Sequence, residues 1–347
     1  MSRRRITLAL LSSTSVTMAA SCSPTINVPP GTSPTSAAAS VQAAPVVRKP
    51  EPTYPLLIAH RGGTADRPEN TLVAIDAALA SQADMIWLSV QLSADGIPVL
   101  YRPAKLSALT ELPPAAAGGD ESVASRTFAQ LQQLNVGWHF AETDATGTRR
   151  YPYRTQPVRI PSLQQALRQI PPNVPVVLDM KAMPAEAQTE AVARVLDAED
   201  AWGRVLIYST EAAYQTTFGR YPKARVFESR DATRQRLLDV TLSGVCDPPG
   251  TGRWAGIELR RPVDVIEHFT LGQGVTKTTA SFWTPKSVAC YRARDAVNLV
   301  AFGVNDKAAY CRAMRLGLDA VMVDSPAQMN AIRAQLKETP QGCPAVK

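Results

Sequence analysis

The sequence predicts an α/β fold, a (β/α)8 barrel in which about eight short strands alternate with helices. Short apolar runs recur between residues 56 and 323, as expected for strands that are buried on both faces. Most of these runs are separated by segments in which apolar residues have helical spacing. The 347 residues are enough for one domain of barrel size. An open, doubly wound sheet is the alternative fold.

The first strand–helix–strand unit spans residues 56–103, and the rest of the chain is organised around it. The tetrad HRGG at residues 60–63 follows an apolar strand, and a helix begins near Asn70 or Thr71, either of which can cap it. The predicted strands of this unit are 56–59, 85–92 and 97–101, and the third returns beside the second after an Asp-Gly turn.

The remaining elements follow from the same patterns. Residues 104–160 are less regular and are interpreted as an insertion after the second core strand, with one short helix at 127–134. The barrel is expected to span residues 51–335, before a C-terminal tail of residues 336–347. Further strands are predicted at 174–180, 205–208, 224–227, 254–259, 299–303 and 320–323, and further helices at 162–170, 185–198, from 210, 233–242 and 307–316.

Residues 1–21 have the pattern of an export signal. Three arginines at positions 3–5 precede an apolar run that is too short to span a bilayer, and the sequence AASC, ending at Cys22, follows. This ending is similar to a bacterial lipobox, in which the cysteine is lipidated, although Ala19 stands where leucine is usual. We therefore expect an exported protein of the bacterial cell envelope, anchored to the membrane through Cys22. An ordinary signal peptide and a periplasmic product are the alternative.

Two features of composition accompany this leader. Residues 22–50 are rich in Pro, Ser, Thr and Ala, and they are expected to form a disordered tether. The chain has a formal charge of +7, which falls to +4 without the three leader arginines, and the remaining positive charge is scattered along the chain. The sequence therefore predicts no nucleic-acid partner.

Four cysteines lie in the predicted barrel and its tail: Cys246, Cys290, Cys311 and Cys343. These cysteines show none of the C-x-x-C spacings that would indicate a zinc site. An exported chain can oxidise these cysteines, but four cysteines allow three complete pairings and the sequence does not choose among them. Buried free thiols are the alternative.

Candidate site residues lie where barrel enzymes carry their catalytic side chains, at the carboxyl ends of the strands. This criterion selects His60 and Arg61 after the first strand and Arg102 after the returning strand. It also selects Ser89 and Gln91 on the second strand, and Asp179 and Lys181, which share one face of the next strand. Because this set combines several cations with one carboxylate, we expect it to bind an anion such as phosphate.

Seven segments resemble, in order, the glycerophosphodiester phosphodiesterase family, a TIM-barrel family related in architecture to phosphatidylinositol-specific phospholipases C. They are IAHRGG, RPENTL, VQLSADGIPVL, IPSLQQAL, VVLDMK, FGVND and GLDAVMVDSP, within residues 56–330. The resemblance implies a PLC-like phosphodiesterase barrel, a small phosphodiester or phospholipid head group as substrate, and a divalent metal, Mg²⁺ or Ca²⁺. It also implies that His60 and Arg61 belong to the catalytic set and that Glu69 of the PENT segment binds substrate.

The chain departs from the family pattern at the metal ligands and at the second histidine. The E-x-D metal pair of the family corresponds to Trp87 and Ser89. Its later glutamate corresponds to Asp179, beside the retained Lys181, and its second histidine to Arg102. Hard divalent cations need several oxygen ligands, so we expect a poor metal site. Arg102 cannot act as a base near neutral pH, but it can bind a phosphoryl oxygen and stabilise developing charge.

These residues lead to two alternative functions. The first is hydrolysis, without a bound metal, of glycerophosphodiesters or related phospholipid-derived diesters. In this reaction His60 acts as acid and base, Arg61 and Arg102 hold the phosphate, and Asp179 with Lys181 orients the reacting groups. The second is a catalytically inactive barrel that binds a phosphodiester or an envelope partner, and the replaced metal ligands favour it.

Overall fold

The computed structural model describes residues 54–115, 119–250, 252–294, 296–339 and 342–343, so the predicted export signal, Cys22 and the tether lie outside the described residues. The strands are β1 (Leu56–His60), β2 (Met85–Leu92), β3 (Pro98–Leu100), β4 (Glu142–Thr143), β5 (Arg149–Arg150), β6 (Val176–Met180), β7 (Val205–Tyr208), β8 (Trp254–Glu258), β9 (Arg261–Phe269), β10 (Gly272–Ala280), β11 (Asn298–Phe302) and β12 (Ala320–Val323). The α-helices are α1 (Leu72–Ala80), α2 (Phe128–Leu131), α3 (Leu163–Gln169), α4 (Ala185–Ala198), α5 (Ala213–Phe218), α6 (Arg230–Leu238), α7 (Pro285–Tyr291), α8 (Lys307–Arg315) and α9 (Pro326–Glu338).

The central sheet is parallel and closes on itself. In the described part of the chain its order is β7-β6-β2-β1-β12-β11-β8, and β3 pairs antiparallel with the end of β2. Residues 225–228 connect the two outer strands, because Phe227 N donates to Ile207 O of β7 at 2.9 Å and Glu228 N donates to Trp254 O of β8 at 2.8 Å. The predicted α/β barrel of the PLC-like type is therefore confirmed, and the open doubly wound sheet is excluded.

Several elements differ from their predicted form or were not predicted. The segment predicted as a strand at 224–227 is an extended connection with one bridge, between Val226 and Ile207. The helix predicted from residue 210 begins at Ala213, and α9 continues past residue 335 to Glu338. The hairpin formed by β9 and β10 was not predicted. Within the described ranges, no helix has the length and apolar character that crossing a bilayer requires.

Local capping explains where the first helices begin. Thr71 Oγ1 accepts a hydrogen bond from Ala74 N at 3.1 Å, so Thr71 is the N-cap of α1. Ser162 and Gln165 form a reciprocal capping box at the start of α3. Because both helices begin directly beyond the carboxyl end of the sheet, their caps fix the loops that carry the candidate site.

Large aromatic side chains fill the barrel interior. Trp87 is only 2% exposed, and its ring centroid lies 4.9 Å from that of Tyr208 and 5.3 Å from that of Phe302. Gly256 makes room for this packing, since a Cβ atom on it would lie 2.5 Å from Cζ of Phe302. Trp87 therefore occupies barrel volume at the position where the family carries a metal ligand.

The four cysteines of the barrel form two disulfides, Cys246–Cys290 and Cys311–Cys343. This is one of the three pairings that the sequence left open. The second disulfide joins α8 to the segment after α9, so residues beyond 335 are covalently tied to the barrel.

The pairing predicts a defined thiol count. The Cys311→Ser/Cys343→Ser variant is expected to expose no new thiol on unfolding and to lose about 2–4 kcal/mol of stability through loop entropy. The mixed Cys246→Ser/Cys343→Ser variant is expected to expose two thiols, those of Cys290 and Cys311. Thiol titration in denaturant measures both counts relative to the unsubstituted protein, and the reverse result would exclude this pairing.

Candidate active site

A cavity of about 480 Å³ opens at the carboxyl ends of the strands. Five of the strand-end residues proposed from the sequence line it, namely His60, Arg61, Arg102, Asp179 and Lys181, whereas Ser89 and Gln91 do not. The other lining residues are Trp87, Tyr208, Thr210, Arg230, Glu258, Arg261, Phe302, Gly303, Met322 and Asp324. Five cationic and three acidic side chains therefore face one space, which favours an anionic ligand.

The turn after β1 has a backbone that few residues adopt. Arg61, Gly62 and Gly63 have φ angles of 51°, 82° and 102°, all in the left-handed region. A Cβ atom on Gly63 would lie 2.9 Å from Cδ of Pro326, so the turn packs directly against the start of α9. This close packing brings the end of β1 next to the end of β12, where Asp324 lies.

His60 and Asp324 form an imidazole–carboxylate pair at the base of the cavity. His60 Nδ1 lies 2.7 Å from Asp324 Oδ1. The carboxylate also accepts hydrogen bonds from Thr64 Oγ1 at 2.9 Å and from Asn305 Nδ2 at 2.6 Å. Asp324 is thus held from three sides, and it fixes the orientation of the His60 ring.

The charge of Asp324 determines which nitrogen of His60 faces the ligand. The hydrogen bond from His60, against the opposing effect of burial, lowers the pKa of Asp324 from 3.8 to about 2. An ionised carboxylate can only accept hydrogen bonds, so His60 Nδ1 must carry a proton. In the neutral ring Nε2 is then an unprotonated base, available to a group in the cavity.

Arg61 is held by Glu69 from the PENT segment. Arg61 Nη1 donates to Glu69 Oε2 at 2.5 Å, and both side chains are largely buried. Glu69 itself is not among the residues that line the cavity. Its position makes it a support for Arg61, and its predicted contact with substrate stays a prediction.

Asp179 and Lys181 lie on one face of β6 and its extension, as predicted. Lys181 Nζ is 2.9 Å from Asp179 Oδ1, and Ser89 Oγ donates to Asp179 Oδ2 at 3.4 Å. The Asp179 side chain is thus neutralised by the lysine beside it, and both groups face the cavity.

Arg102 has no ion pair in the described part of the chain. It is exposed, and its guanidinium makes no ion pair or hydrogen bond with any residue in the described ranges. Arg261 likewise lines the cavity without an ion pair to a described residue, whereas Arg61 and Arg230 are both paired with glutamates. Arg102 is therefore a guanidinium that a phosphate can engage without breaking an ion pair.

A second ion pair on the opposite part of the rim was not predicted. Arg230 Nη2 donates to both carboxylate oxygens of Glu258, at 2.5 and 2.6 Å, and Arg230 Nη1 donates to Tyr208 Oη at 3.3 Å. Burial disfavours the Glu258 carboxylate, but the hydrogen bonds and charge of Arg230 lower its pKa overall. Burial raises the pKa of Tyr208 to about 12, so its hydroxyl stays protonated.

The strand-end criterion could have found two of the cavity residues that were not predicted from the sequence. Asp324 directly follows β12 and Glu258 ends β8, so both satisfy it. Arg230 starts a helix, and no local pattern distinguishes it from a surface arginine. Neither His139 nor His268 lines the cavity, and both are exposed.

The residues present do not fit the divalent metal that the family pattern implies. Strand β2 places Trp87 and Ser89 where the acid pair would be, and Trp87 has no oxygen donor. Two other carboxylates near this position, those of Asp179 and Glu69, already form ion pairs with Lys181 and Arg61. No three His, Cys, Asp or Glu side chains of the described residues come together as a metal site.

The fold and cavity define a class of protein: a closed α/β barrel with a histidine–aspartate pair and several guanidinium groups at the carboxyl ends of its strands. The chain belongs to the glycerophosphoryl diester phosphodiesterase family, which its sequence matches over residues 60–328. It is 45% identical over 273 residues to the uncharacterized protein Rv2277c of Mycobacterium tuberculosis, covering 78% of this chain and 87% of that protein.

Solved structures agree with this membership. The crystal structure of the glycerophosphoryl diester phosphodiesterase domain of Rv2277c matches with a TM-score of 0.72 and 43% identity, over 80% of this chain and 99% of that one. An Oleispira antarctica phosphodiesterase, solved with its product sn-glycerol-3-phosphate, matches with a TM-score of 0.56 and 22% identity over 81% and 97% of the two chains. The second likeness supports the fold alone.

Proposed function

We propose that the protein hydrolyses glycerophosphodiesters or related phospholipid-derived diesters without a bound divalent metal, giving an alcohol and a phosphomonoester. The observation that carries the proposal is the His60–Asp324 pair, which opens into the same cavity as the unpaired Arg102. Family membership supports phosphodiester chemistry, and the donor set supports its independence from metal.

His60 serves the attacking oxygen. Its Nε2 takes the proton of a water or hydroxyl as that oxygen bonds to phosphorus, and Asp324 stabilises the imidazolium that forms. Arg102 donates hydrogen bonds to a phosphoryl oxygen, where negative charge increases as the reaction proceeds. These steps use groups that already face the cavity.

The leaving oxygen needs a different proton donor. In an in-line displacement the entering and leaving oxygens lie on opposite sides of phosphorus, so one imidazole serves only one of them. Lys181 and Tyr208 line the cavity, and burial raises the pKa of Tyr208 to about 12, so its hydroxyl keeps its proton. Either group can protonate the alcohol as its bond to phosphorus breaks.

A binding function without turnover is the second candidate, favoured by the replacement of the metal ligands by Trp87 and Ser89. Incubation with glycerophosphocholine and with a generic aryl phosphodiester, followed by ³¹P NMR, distinguishes the two. A phosphomonoester signal that grows with time supports hydrolysis. Saturable ligand binding with no product under any condition supports the binding function and contradicts ours.

We also propose that the protein is exported and anchored through Cys22. The leader pattern and the two disulfides support this, because disulfides persist in oxidising compartments. The Cys22→Ala variant is expected to move from the membrane to the soluble fraction of the cells. An unchanged distribution would contradict the anchor.

A further inference from the structure

A two-stranded ribbon follows β8 directly. Strands β9 and β10 pair antiparallel over nine residue pairs, from Arg261 with Ala280 to Phe269 with Gly272, and the turn between them consists of residues 270–271. Most side chains on both strands are exposed, on both faces of the ribbon. The ribbon therefore projects from the barrel instead of packing on it.

The tip of this ribbon is apolar. Leu271 is 100% exposed and Phe269 63% exposed, and Ile266 and Val275 lie opposite each other just behind them, each 50% exposed. With Val265, these residues make up half of the ten large apolar side chains that are exposed in the described part of the chain. Such a concentration of exposed apolar surface marks an interaction site.

The ribbon begins at the rim of the cavity. Glu258 ends β8 and Arg261 begins β9, and both side chains line the cavity. Nine paired residues at about 3.2–3.4 Å each place the tip roughly 25–30 Å from the rim along the ribbon, so the ribbon links the rim to any surface that receives the tip.

We propose that the tip of the β9–β10 ribbon inserts into the interfacial region of a lipid bilayer and docks the barrel on that surface. The inference concerns docking, and it holds whether or not the cavity hydrolyses its ligand. It is also separate from the proposed anchor at Cys22, because it places a second, non-covalent contact on the barrel itself.

The size of the apolar tip favours a bilayer over a second copy of the chain. Covering a phenylalanine removes roughly 150–250 Å² from water, whereas a stable dimer needs about 800 Å² on each partner. Pro262 and the cross-strand pair Asp264–Lys277 make the ribbon edges poor templates for further strand pairing. A small apolar wedge of this kind fits lipid better than a flat protein surface.

The charges of the ribbon indicate which lipids it accepts. Asp264 and Lys277 oppose each other, with Lys277 Nζ 3.8 Å from Asp264 Oδ1. Glu267 lies near the tip, and no arginine or lysine lies between Lys277 and the turn. We therefore expect binding to zwitterionic phosphatidylcholine vesicles with little dependence on salt, and no preference for anionic vesicles.

Vesicle flotation tests the proposal on the full chain carrying Cys22→Ala, which removes the acylation site from every sample. The Phe269→Ser/Leu271→Ser variant is expected to partition into phosphatidylcholine vesicles at least about tenfold more weakly than this parent. The matched control is Leu242→Ser/Val245→Ser, because both residues are exposed apolar side chains outside the ribbon, 79% and 57% exposed. A parent that does not bind, or equal binding of both variants, overturns the proposal.

A position-specific measurement removes the influence of any other membrane contact. Brominated phosphatidylcholine is expected to quench the added fluorescence of the Leu271→Trp variant and to leave that of the Leu242→Trp variant unchanged. Equal quenching of the two variants overturns the proposal. A different combination also overturns it: the vesicles quench neither variant, and the parent sediments as a dimer that the tip substitutions abolish.

Turnover of a soluble diester separates this inference from the proposed function. The tip variant is expected to keep that turnover, since Phe269 and Leu271 do not line the cavity. Loss of vesicle binding with turnover retained supports the docking role. If the parent shows no turnover but its vesicle binding depends on the tip, the proposed hydrolysis is refuted and the docking role is supported.

Discussion

Replacing His60 by alanine is expected to lower kcat/KM for a soluble phosphodiester by roughly 10²–10⁴-fold. His60 is the one imidazole that lines the described cavity, and Asp324 holds its ring with Nδ1 at 2.7 Å. No other described group there is a base of comparable strength near neutral pH. Steady-state kinetics on the purified variant measure the loss. His139→Ala is the control, because His139 is exposed and lies outside the cavity.

Asp324→Asn is expected to cause a loss of similar order, because an amide can favour the wrong tautomer of His60. The pKa of Asp324 is lowered from 3.8 to about 2, so the carboxylate stays ionised above about pH 4. The ionised carboxylate stabilises the folded protein above that pH, and this contribution disappears as the pH falls through about 2.

An active His60→Ala enzyme, or an inactive His139→Ala enzyme, would contradict the role given to His60.

Replacing Arg102 by alanine is expected to lower kcat by roughly 10²–10³-fold, the usual effect of removing one donor to a developing oxyanion. The guanidinium of Arg102 has no acidic partner among the described residues, so it is free to donate hydrogen bonds to the phosphoryl oxygen in the transition state. Arg102→Lys is expected to recover part of the rate, since lysine keeps the charge but loses the two-pronged geometry.

The matched control for Arg102 is Arg150→Ala. Arg150 is an exposed arginine of the insertion, paired with Asp144, and it does not line the cavity. Single-turnover rates with saturating diester separate chemistry from binding. A change in KM alone in Arg102→Ala would show that Arg102 binds the ground state and the transition state equally, and the oxyanion role would then be wrong.

Much of the fold follows from local sequence. Strands β1, β2, β6 and β7 are short apolar runs because each is buried on both faces of the closed sheet, and the structure places them within two residues of the predicted bounds. The caps at Thr71 and Ser162 are also local. The strand-end criterion therefore locates five of the fifteen residues that line the cavity from the sequence alone.

Other features depend on contacts that no local pattern records. The β9–β10 ribbon is exposed on both faces, so its residues lack the alternation of a half-buried strand. Arg230 reaches Glu258 from a helix start, and the disulfide partners are 44 and 32 residues apart. The 224–227 segment is strand-like in composition, but only one of its residues pairs in register.

The first βα unit has two halves with different chemical content. Residues 60–72 carry the family motif, with His60 and Arg61 in the cavity and Glu69 behind them. By the resemblance drawn from the sequence, strand β2 and the segment after β3 carry Trp87, Ser89 and Arg102 where the family pattern has metal ligands and a second histidine. We propose that a protein cation, Arg102, supplies the charge stabilisation that a bound metal would otherwise supply.

The dependence of turnover on metal tests this claim most directly. Glycerophosphocholine hydrolysis is measured after dialysis against EDTA, and again after addition of Mg²⁺ or Ca²⁺, with His60→Ala as the inactive reference. Metal-free chemistry predicts that EDTA leaves the rate of the unsubstituted protein unchanged and that neither metal raises it, while His60→Ala stays inactive throughout. A rate that EDTA abolishes and that Mg²⁺ or Ca²⁺ restores would contradict it.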